Sequence, residues 1–202
     1  MDHVPSYATL SLLFSLVAYI PYVIATWKSN VKLTISTWIS WGLMDIAIFA
    51  GMIASNEIAW QMAAYIFGAT LMISVSLYKG ASVGWTKTDT AFLAVVVVAI
   101  IGWALTGNPE VAIALSLVAI SAGTAPMLIN TWRNPENEPL LPWILFWIGG
   151  LAGMLAITSW TIAGAATQIL FWVVHNAFII LILRKYLRSG NNKLLDQILM
   201  RD

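Results

Sequence analysis

The chain has 202 residues, of which 60% are hydrophobic and 9% charged, with a formal net charge of +1 and a mean hydropathy of +0.83. Soluble domains carry roughly a quarter charged residues, so so much apolar surface excludes a soluble globule and calls for a lipid bilayer as solvent. The absence of cysteine excludes disulfides, thiolate metal sites and thiol catalysis, and the near-neutral charge argues against nucleic acid as a partner.

A membrane-spanning helix needs about 20 mostly apolar residues. Seven such runs follow one another, at roughly 7–27, 35–55, 58–79, 90–107, 110–130, 141–162 and 166–187. Spanning strands would instead show alternating segments of ~10 residues. Met1-Asp2-His3 is acidic where a signal peptide is basic, and no small-residue cleavage site follows, so the first run is expected to stay as a membrane helix. It contains Pro21 and ends in Thr26-Trp27-Lys28. Asn56 and Glu57 part helices 2 and 3, and Asp89 and Thr90 stand where a cap for helix 4 belongs. Helix 4 has no polar side chain from Ala91 to Ile101 and suits a lipid environment. Asn108-Pro109-Glu110 places a proline in the first turn of helix 5 and a carboxylate near its positive end. Helix 5 contains Pro126 and ends in Thr131-Trp132-Arg133, and Asn134 to Pro139 is a proline-broken loop before helix 6. In 189–202, Leu194, Leu195, Ile198 and Leu199 make one apolar face beside Lys193 and Arg201, which fits a surface-lying helix or a frayed tail.

Pro21, Ile24, Thr26, Trp27 and Lys28 recur as Pro126, Ile129, Thr131, Trp132 and Arg133, and Trp38-Ile39 recurs at the same offset as Trp143-Ile144. A constant offset across a helix, a loop and the next helix marks an internal repeat. Helices 1–3 and 5–7 then form two units of like orientation, parallel repeats related by an axis along the membrane normal. The expected organisation is an all-α integral membrane protein of seven transmembrane helices: a first three-helix bundle over 1–80, linker helix 4 over 81–108, a second bundle over 109–188 and a tail over 189–202. With seven helices every one of the 10 basic residues falls on one side. The positive-inside rule puts that side in the cytoplasm, with the N-terminus outside or lumenal and the C-terminus cytoplasmic.

Chemistry inside an apolar chain is carried by the few polar groups it keeps. Asp45 is the only acid inside a spanning run, away from its ends, and Trp38, Trp41 and Asp45 share one helical face. An acid at mid-bilayer costs at least ~2.5–3.5 kcal/mol, so Asp45 is expected to face a cavity or a partner and is the candidate for proton coupling; a structural hydrogen-bond anchor is the plain alternative. Gln168, Trp172 and His175 form a stripe on helix 7, and Gln61, Tyr65 and Gly68 form its copy on helix 3. An amide, an aromatic ring and a polar group on one face suit a small solute with a flat or ring-shaped part, and His175 fits interhelical packing equally well. Pro21 and Pro126 each remove a helical hydrogen bond and are candidate hinges, or static kinks. Trp27, Trp132, Trp85 and Trp103 read as interfacial anchors, and Gly149, Gly150 and Gly153 as close helix packing. The chain has no catalytic constellation, no metal cluster and no phosphate-binding glycine loop, so neither an enzyme nor a cofactor is expected.

The three-plus-one-plus-three layout, with a proline in the first helix of each triplet and a basic residue seven positions later, resembles the SWEET and PQ-loop transporter superfamily over nearly the whole chain. Nicotinamide-riboside-type vitamin transporters are similar in layout. SWEET proteins carry four prolines; Pro21, Pro126 and Pro142 match three of them, and Thr37 stands at the fourth. Tyr22 and Met127 stand where PQ-loop proteins place glutamine. The resemblance implies alternating access about Pro21, Pro126 and Pro142, with Trp160 and Asn176 at the family's sugar-binding Trp and Asn. Together with the residue reading it gives Trp41, Asp45, Tyr65, Trp160, Trp172, His175 and Asn176 as candidate solute contacts. The expected activity is transport of a small polar solute, a sugar first and a vitamin nucleoside or amino acid next. The expected partners are that solute and the bilayer, and a homo-oligomer is compatible. The alternative is a membrane receptor or interaction subunit of the same fold, as in the KDEL receptors.

Overall fold

The computed structural model describes residues 4–28, 35–80, 87–135 and 138–189, so the surface-lying helix expected in the tail falls outside the described residues. Every element among them is helical: α1 (Val4–Lys28), α2 (Ile35–Ala54), α3 (Trp60–Tyr78), α4 (Lys87–Thr106), α5 (Pro109–Arg133), α6 (Leu140–Leu155), a π turn (Ile162–Ala166) and α7 (Thr167–Ser189). Four stretches are long and apolar enough to cross a membrane: Ser6–Lys28, Trp60–Tyr78, Pro109–Arg133 and Ile162–Arg184. The apolar parts of α2, α4 and α6 are shorter, at Trp38–Ala54, Leu93–Thr106 and Leu140–Leu155. In hydrocarbon each backbone N–H and C=O must find a partner inside its own helix. An all-helical chain of this composition therefore reads as an integral membrane protein.

Local chemistry sets the helix ends. After α2, Asn56 takes a left-handed φ of 55°, and the Glu57 N–H bonds back to Met52 O at 3.0 Å, a Schellman-type stop with asparagine in the usual glycine place. Gly107 (φ 65°) closes α4 through a bond to Trp103 O, and Asn108 Oδ1 accepts from the Glu110 N–H at 3.0 Å to start α5. Helix 4 begins at Lys87, so Asp89 and Thr90 stand in its first turn rather than ahead of it.

Two expectations change at α6. The apolar run over 141–162 is not one helix: α6 stops at Leu155, and Thr158–Trp160 are non-helical. The reason is a carboxylate from another loop. Glu57 Oε2 accepts the hydroxyls of Ser159 and Thr161, each at 2.5 Å, while Thr161 Oγ1 caps the π turn by accepting the Gly164 N–H at 2.9 Å. Pro142 is the third residue of α6, where the backbone N–H has no helical partner to lose. It stands in the first turn of α6, unlike Pro21 well inside α1.

The helices pack in cross-related pairs. α3 packs against α1 and α2, α7 against α5 and α6, α1 against α6, and α2 against α5, while α4 lies against α5 and α2. Helix α4 is mostly exposed, as a lipid-facing helix should be, yet Val96 and Ala99 are buried. Where α1 meets α6 at Gly149 there is no room for a side chain. A Cβ on Gly149 would lie 2.8 Å from Ser15 Oγ and 3.2 Å from the Ser11 carbonyl oxygen, so backbone meets backbone, as small residues allow in membrane helix pairs. On α3 the bare Cα of Gly68 receives the ring of Tyr19, which any Cβ there would overlap.

The Thr-Trp-basic ends of α1 and α5 are each held by the end of the second helix that follows. Lys79 Nζ donates to the carbonyls of Thr26 (2.7 Å) and Trp27 (2.8 Å), and the Trp27 ring stacks on Tyr78 at 5.5 Å. The Arg184 guanidinium lies 3.3 Å above the Trp132 ring, a cation–π contact. Gly68→Ala should force the Tyr19 ring out of its seat. Overpacking of this kind costs about 1–3 kcal/mol, visible as a lower unfolding midpoint in detergent, and the shift should largely vanish when Tyr19 is also truncated to alanine.

Candidate functional site

A cavity of about 60 Å³ lies among six helices. Helix α1 contributes Tyr19 and Tyr22; α2 contributes Trp38, Trp41 and Asp45; α3 contributes Tyr65 and Ala69. From the other half come Thr124 of α5, Trp143 and Phe146 of α6, and Phe171 and His175 of α7. No lining residue comes from α4. The volume has room for a few waters at ~10–15 Å³ each.

The wall is a continuous aromatic shell. Tyr19 meets Phe146 edge-on at 5.0 Å, Tyr65 stacks on Phe171 at 5.1 Å, and Trp38 meets both Tyr22 and Trp41 at 5.5 Å. His175 stacks against Phe146 at 5.6 Å. Such rings offer flat apolar faces at low conformational cost. Few polar atoms interrupt them. Asp45 is buried, and its Oδ1 has no hydrogen-bond partner; the same holds for Trp41 Nε1. Orphaned buried polar atoms each cost about 1–3 kcal/mol, and a hydrogen-bonding group placed in the cavity would relieve that cost. Asp45 and His175 share this cavity without a hydrogen bond or ion pair between them.

Of the seven solute contacts expected from sequence, the structure brings four together here: Trp41, Asp45, Tyr65 and His175. The other three stand elsewhere. Trp160 is 84% exposed in the segment after α6, because the helix that was to carry it ends at Leu155. Trp172 turns toward α6, 6.1 Å from Trp147 and against the Cα face of Gly150. Asn176 is internally satisfied: its Nδ2 donates to Trp172 O at 2.8 Å, and its Oδ1 accepts from Trp147 Nε1 at 2.9 Å.

Sequence reasoning passed over Tyr19 and Thr124, although they stand at the repeat offset, each two residues before a helix proline. It also passed over Glu138. This carboxylate follows Pro135 in the α5–α6 loop, where solvent exposure would be expected, yet it is 6% exposed. Its Oε2 accepts from Tyr22 Oη at 3.1 Å and from Trp143 Nε1 at 3.3 Å. Both donors line the cavity, so Glu138 ties α1 to α6 behind the aromatic wall. No local signal marks it, because its burial is created by α1 folding against α6.

Burial pushes the Glu138 carboxyl from the usual 4.5 up to about 7, against the pull of the Trp143 and Tyr22 hydrogen bonds. The native chain thus holds this proton between pH 4.5 and about 7, where the unfolded chain releases it. The linkage sign follows: this group favours the fold most on the acid side, and stability falls as pH rises through that window, by an amount on the order of 3 kcal/mol. Unfolding midpoints at pH 5 and pH 8 should differ less in Glu138→Gln than in the parent chain, since the amide oxygen still accepts both bonds and carries no proton equilibrium.

No family model, curated protein or solved structure matches the chain.

Proposed function

We propose that this protein is a membrane transporter that moves a small polar solute by alternating access, with the six-helix cavity as its binding chamber. The observation that carries the reading is the chamber itself: an aromatic shell whose lining includes Asp45 and Trp41, with Asp45 Oδ1 and Trp41 Nε1 left unpartnered. A solute bearing hydroxyls or amides would satisfy those atoms while its ring faces pack on the shell. A sugar fits this description first, and a vitamin nucleoside or amino acid next.

The packing supports a repeat of two three-helix units. Exchanging α1 with α5, α2 with α6 and α3 with α7 carries the contact α1–α3 onto α5–α7, α2–α3 onto α6–α7, and α1–α6 onto α5–α2. Seven spans, a parallel repeat and the likeness to the SWEET and PQ-loop group are part of this proposal. The likeness rests on the prolines and the Thr-Trp-basic helix ends. Pro21 and Pro126, at matching places in α1 and α5, would be the points about which the units rock. The cytoplasmic side would hold the basic helix ends.

Within this chamber the two halves differ in kind. At the repeat offset Tyr19 answers to Thr124 and Asp45 to Gly150, and at the slightly longer offset that aligns Gln61 with Gln168, Gly68 answers to His175. A large ring beside a glycine in one half becomes a small hydroxyl beside an imidazole in the other. The solute would therefore bind in one orientation, with Asp45 facing one end and His175 the other. Asp45 is also the group through which a proton could travel with the solute.

Purified protein in proteoliposomes should take up one member of a labelled panel of sugars, nucleosides and amino acids. His175→Ala should lower its apparent affinity roughly tenfold, the equivalent of one good hydrogen bond. If transport is proton-coupled, an inward proton gradient should accelerate uptake in the parent and not in Asp45→Asn. Binding of a solute without uptake under any imposed gradient would contradict the transporter reading.

A further inference from the structure

A second cavity, of about 190 Å³, lies where α2 and α6 stop, at the opposite end of the chain's fold from Glu138. Its wall is polar where the main chamber is aromatic. Ser11, Asn56, Glu57, Gln61, Ser159 and Gln168 line it, and its lining includes no lysine, arginine or histidine. Glu57 is directed here by the left-handed turn at Asn56 and fixed by the hydroxyls of Ser159 and Thr161.

Three side-chain oxygens converge in this cavity. Gln61 Nε2 donates to Ser15 Oγ at 3.0 Å and to Tyr65 Oη at 2.7 Å, which turns Oε1 the other way. That Oε1 has no partner, and neither does Ser11 Oγ, although both residues are 2% exposed. They meet at Gly153. A Cβ built there would overlap Gln168 Oε1 and would lie 2.7 Å from Gln61 Oε1 and 3.0 Å from Ser11 Oγ. Helices α1, α3 and α7 thus each turn one oxygen toward the bare backbone of α6. The single Ser11 hydroxyl proton can answer only one of the two amide oxygens, which leaves the other without a positive partner. The C-terminal ends of α2 and α6 meet the N-terminal starts of α3 and of the π turn here, so their helix dipoles oppose one another, and the negative charge of the cavity is that of the Glu57 carboxylate.

We propose that this cavity binds a small monovalent cation, held by Gln61 Oε1, Ser11 Oγ and Gln168 Oε1, with Glu57 as the countercharge. One carboxylate and several neutral oxygens suit a single positive charge. Calcium and magnesium draw more heavily on carboxylates or on retained waters, and zinc and copper favour nitrogen and sulfur ligands. The occupant is an alkali-metal ion or the ammonium head of a small solute, since both present the same compact charge. Broken helices whose C-terminal ends and unwound backbone face a cation are a recurring membrane arrangement, and here α6 breaks at the cavity rim.

The site is joined to the main chamber through one side chain. Gln61 offers its oxygen to the polar cavity and its amide hydrogens to Tyr65, which lines the aromatic chamber. A cation on Oε1 polarises the amide and strengthens its donation to Tyr65 Oη, so occupancy of one cavity should be felt in the other.

The test reads binding alone, so its failure would leave the transport reading untouched. The full-length protein in detergent is heated in sodium, potassium, methylammonium or choline chloride at equal ionic strength. A small cation should raise the unfolding midpoint saturably, and bulky choline should not. In Ser11→Ala and Gln168→Leu, half-saturation should need roughly tenfold more salt, the loss of one charge-bound oxygen. A response to sodium or potassium assigns an inorganic ion, and a response to methylammonium alone assigns the ammonium head of a solute. Superimposed curves in all four salts, which need no variant, would overturn the proposal. So would a cation response left unchanged in both variants.

Discussion

The structure depends on the contact of α6 with α1 through glycine. Lipid tails are as apolar as leucine, so helices in a membrane gain little from hiding apolar faces and must gain instead from close fit. Gly149 brings the α6 backbone against Ser11 and Ser15. One turn along, Gly153 makes room for Gln61, Gln168 and Ser11. Beside it, Gly150 leaves a seat for Trp172 and for the His175 ring. A side chain at these positions would push the two helices apart and open the aromatic chamber between them. Glu138 closes the same interface at its other end, by a polar link between Tyr22 and Trp143.

This arrangement separates two chemistries along the α1–α6 seam. Toward Glu138 the seam is aromatic, and the polar atoms it encloses are few and unpartnered. Toward Glu57 it is rich in amides and hydroxyls. Tyr65 and Gln61, one turn apart on α3, stand at the change from one to the other, and their mutual hydrogen bond of 2.7 Å is the direct link. The proline in α1 falls between the Tyr19 and Tyr22 contacts, so any bending there would move the chamber wall and the Glu138 link together.

Much of this was legible in the sequence, and the part that was not has a physical pattern. Helix ends at Asn56, at Gly107-Asn108 and at the Thr-Trp-basic motifs are local, set by residues within one turn, and reading them needs no tertiary knowledge. Asp45 and His175 were legible because a polar group within an apolar run must be answered by the fold. The glycines of α6 were legible as packing for the same reason. Helical spacing gave the face of Trp172 and Asn176 but not the neighbour that face meets, and α6, not the chamber, meets them. Trp160 was misplaced because hydropathy runs on through Ile157 and Ile162, while the break is made by Glu57 reaching across from another loop. Glu138 was hidden for the converse reason: its loop is polar, and only the α1–α6 contact buries it.

The claim at the centre is that the chamber among the six helices is reached from the aqueous phases and filled by a solute. The chain contains no cysteine, so Thr124→Cys places a single thiol on the chamber wall at a position 4% exposed. In sealed vesicles, a membrane-impermeant thiol reagent should modify this cysteine slowly, and a saturating transported solute should suppress the reaction. A thiol that reacts fully after denaturation, yet from neither face of the intact membrane under any solute or pH condition, would show that the chamber is sealed packing and would contradict the account.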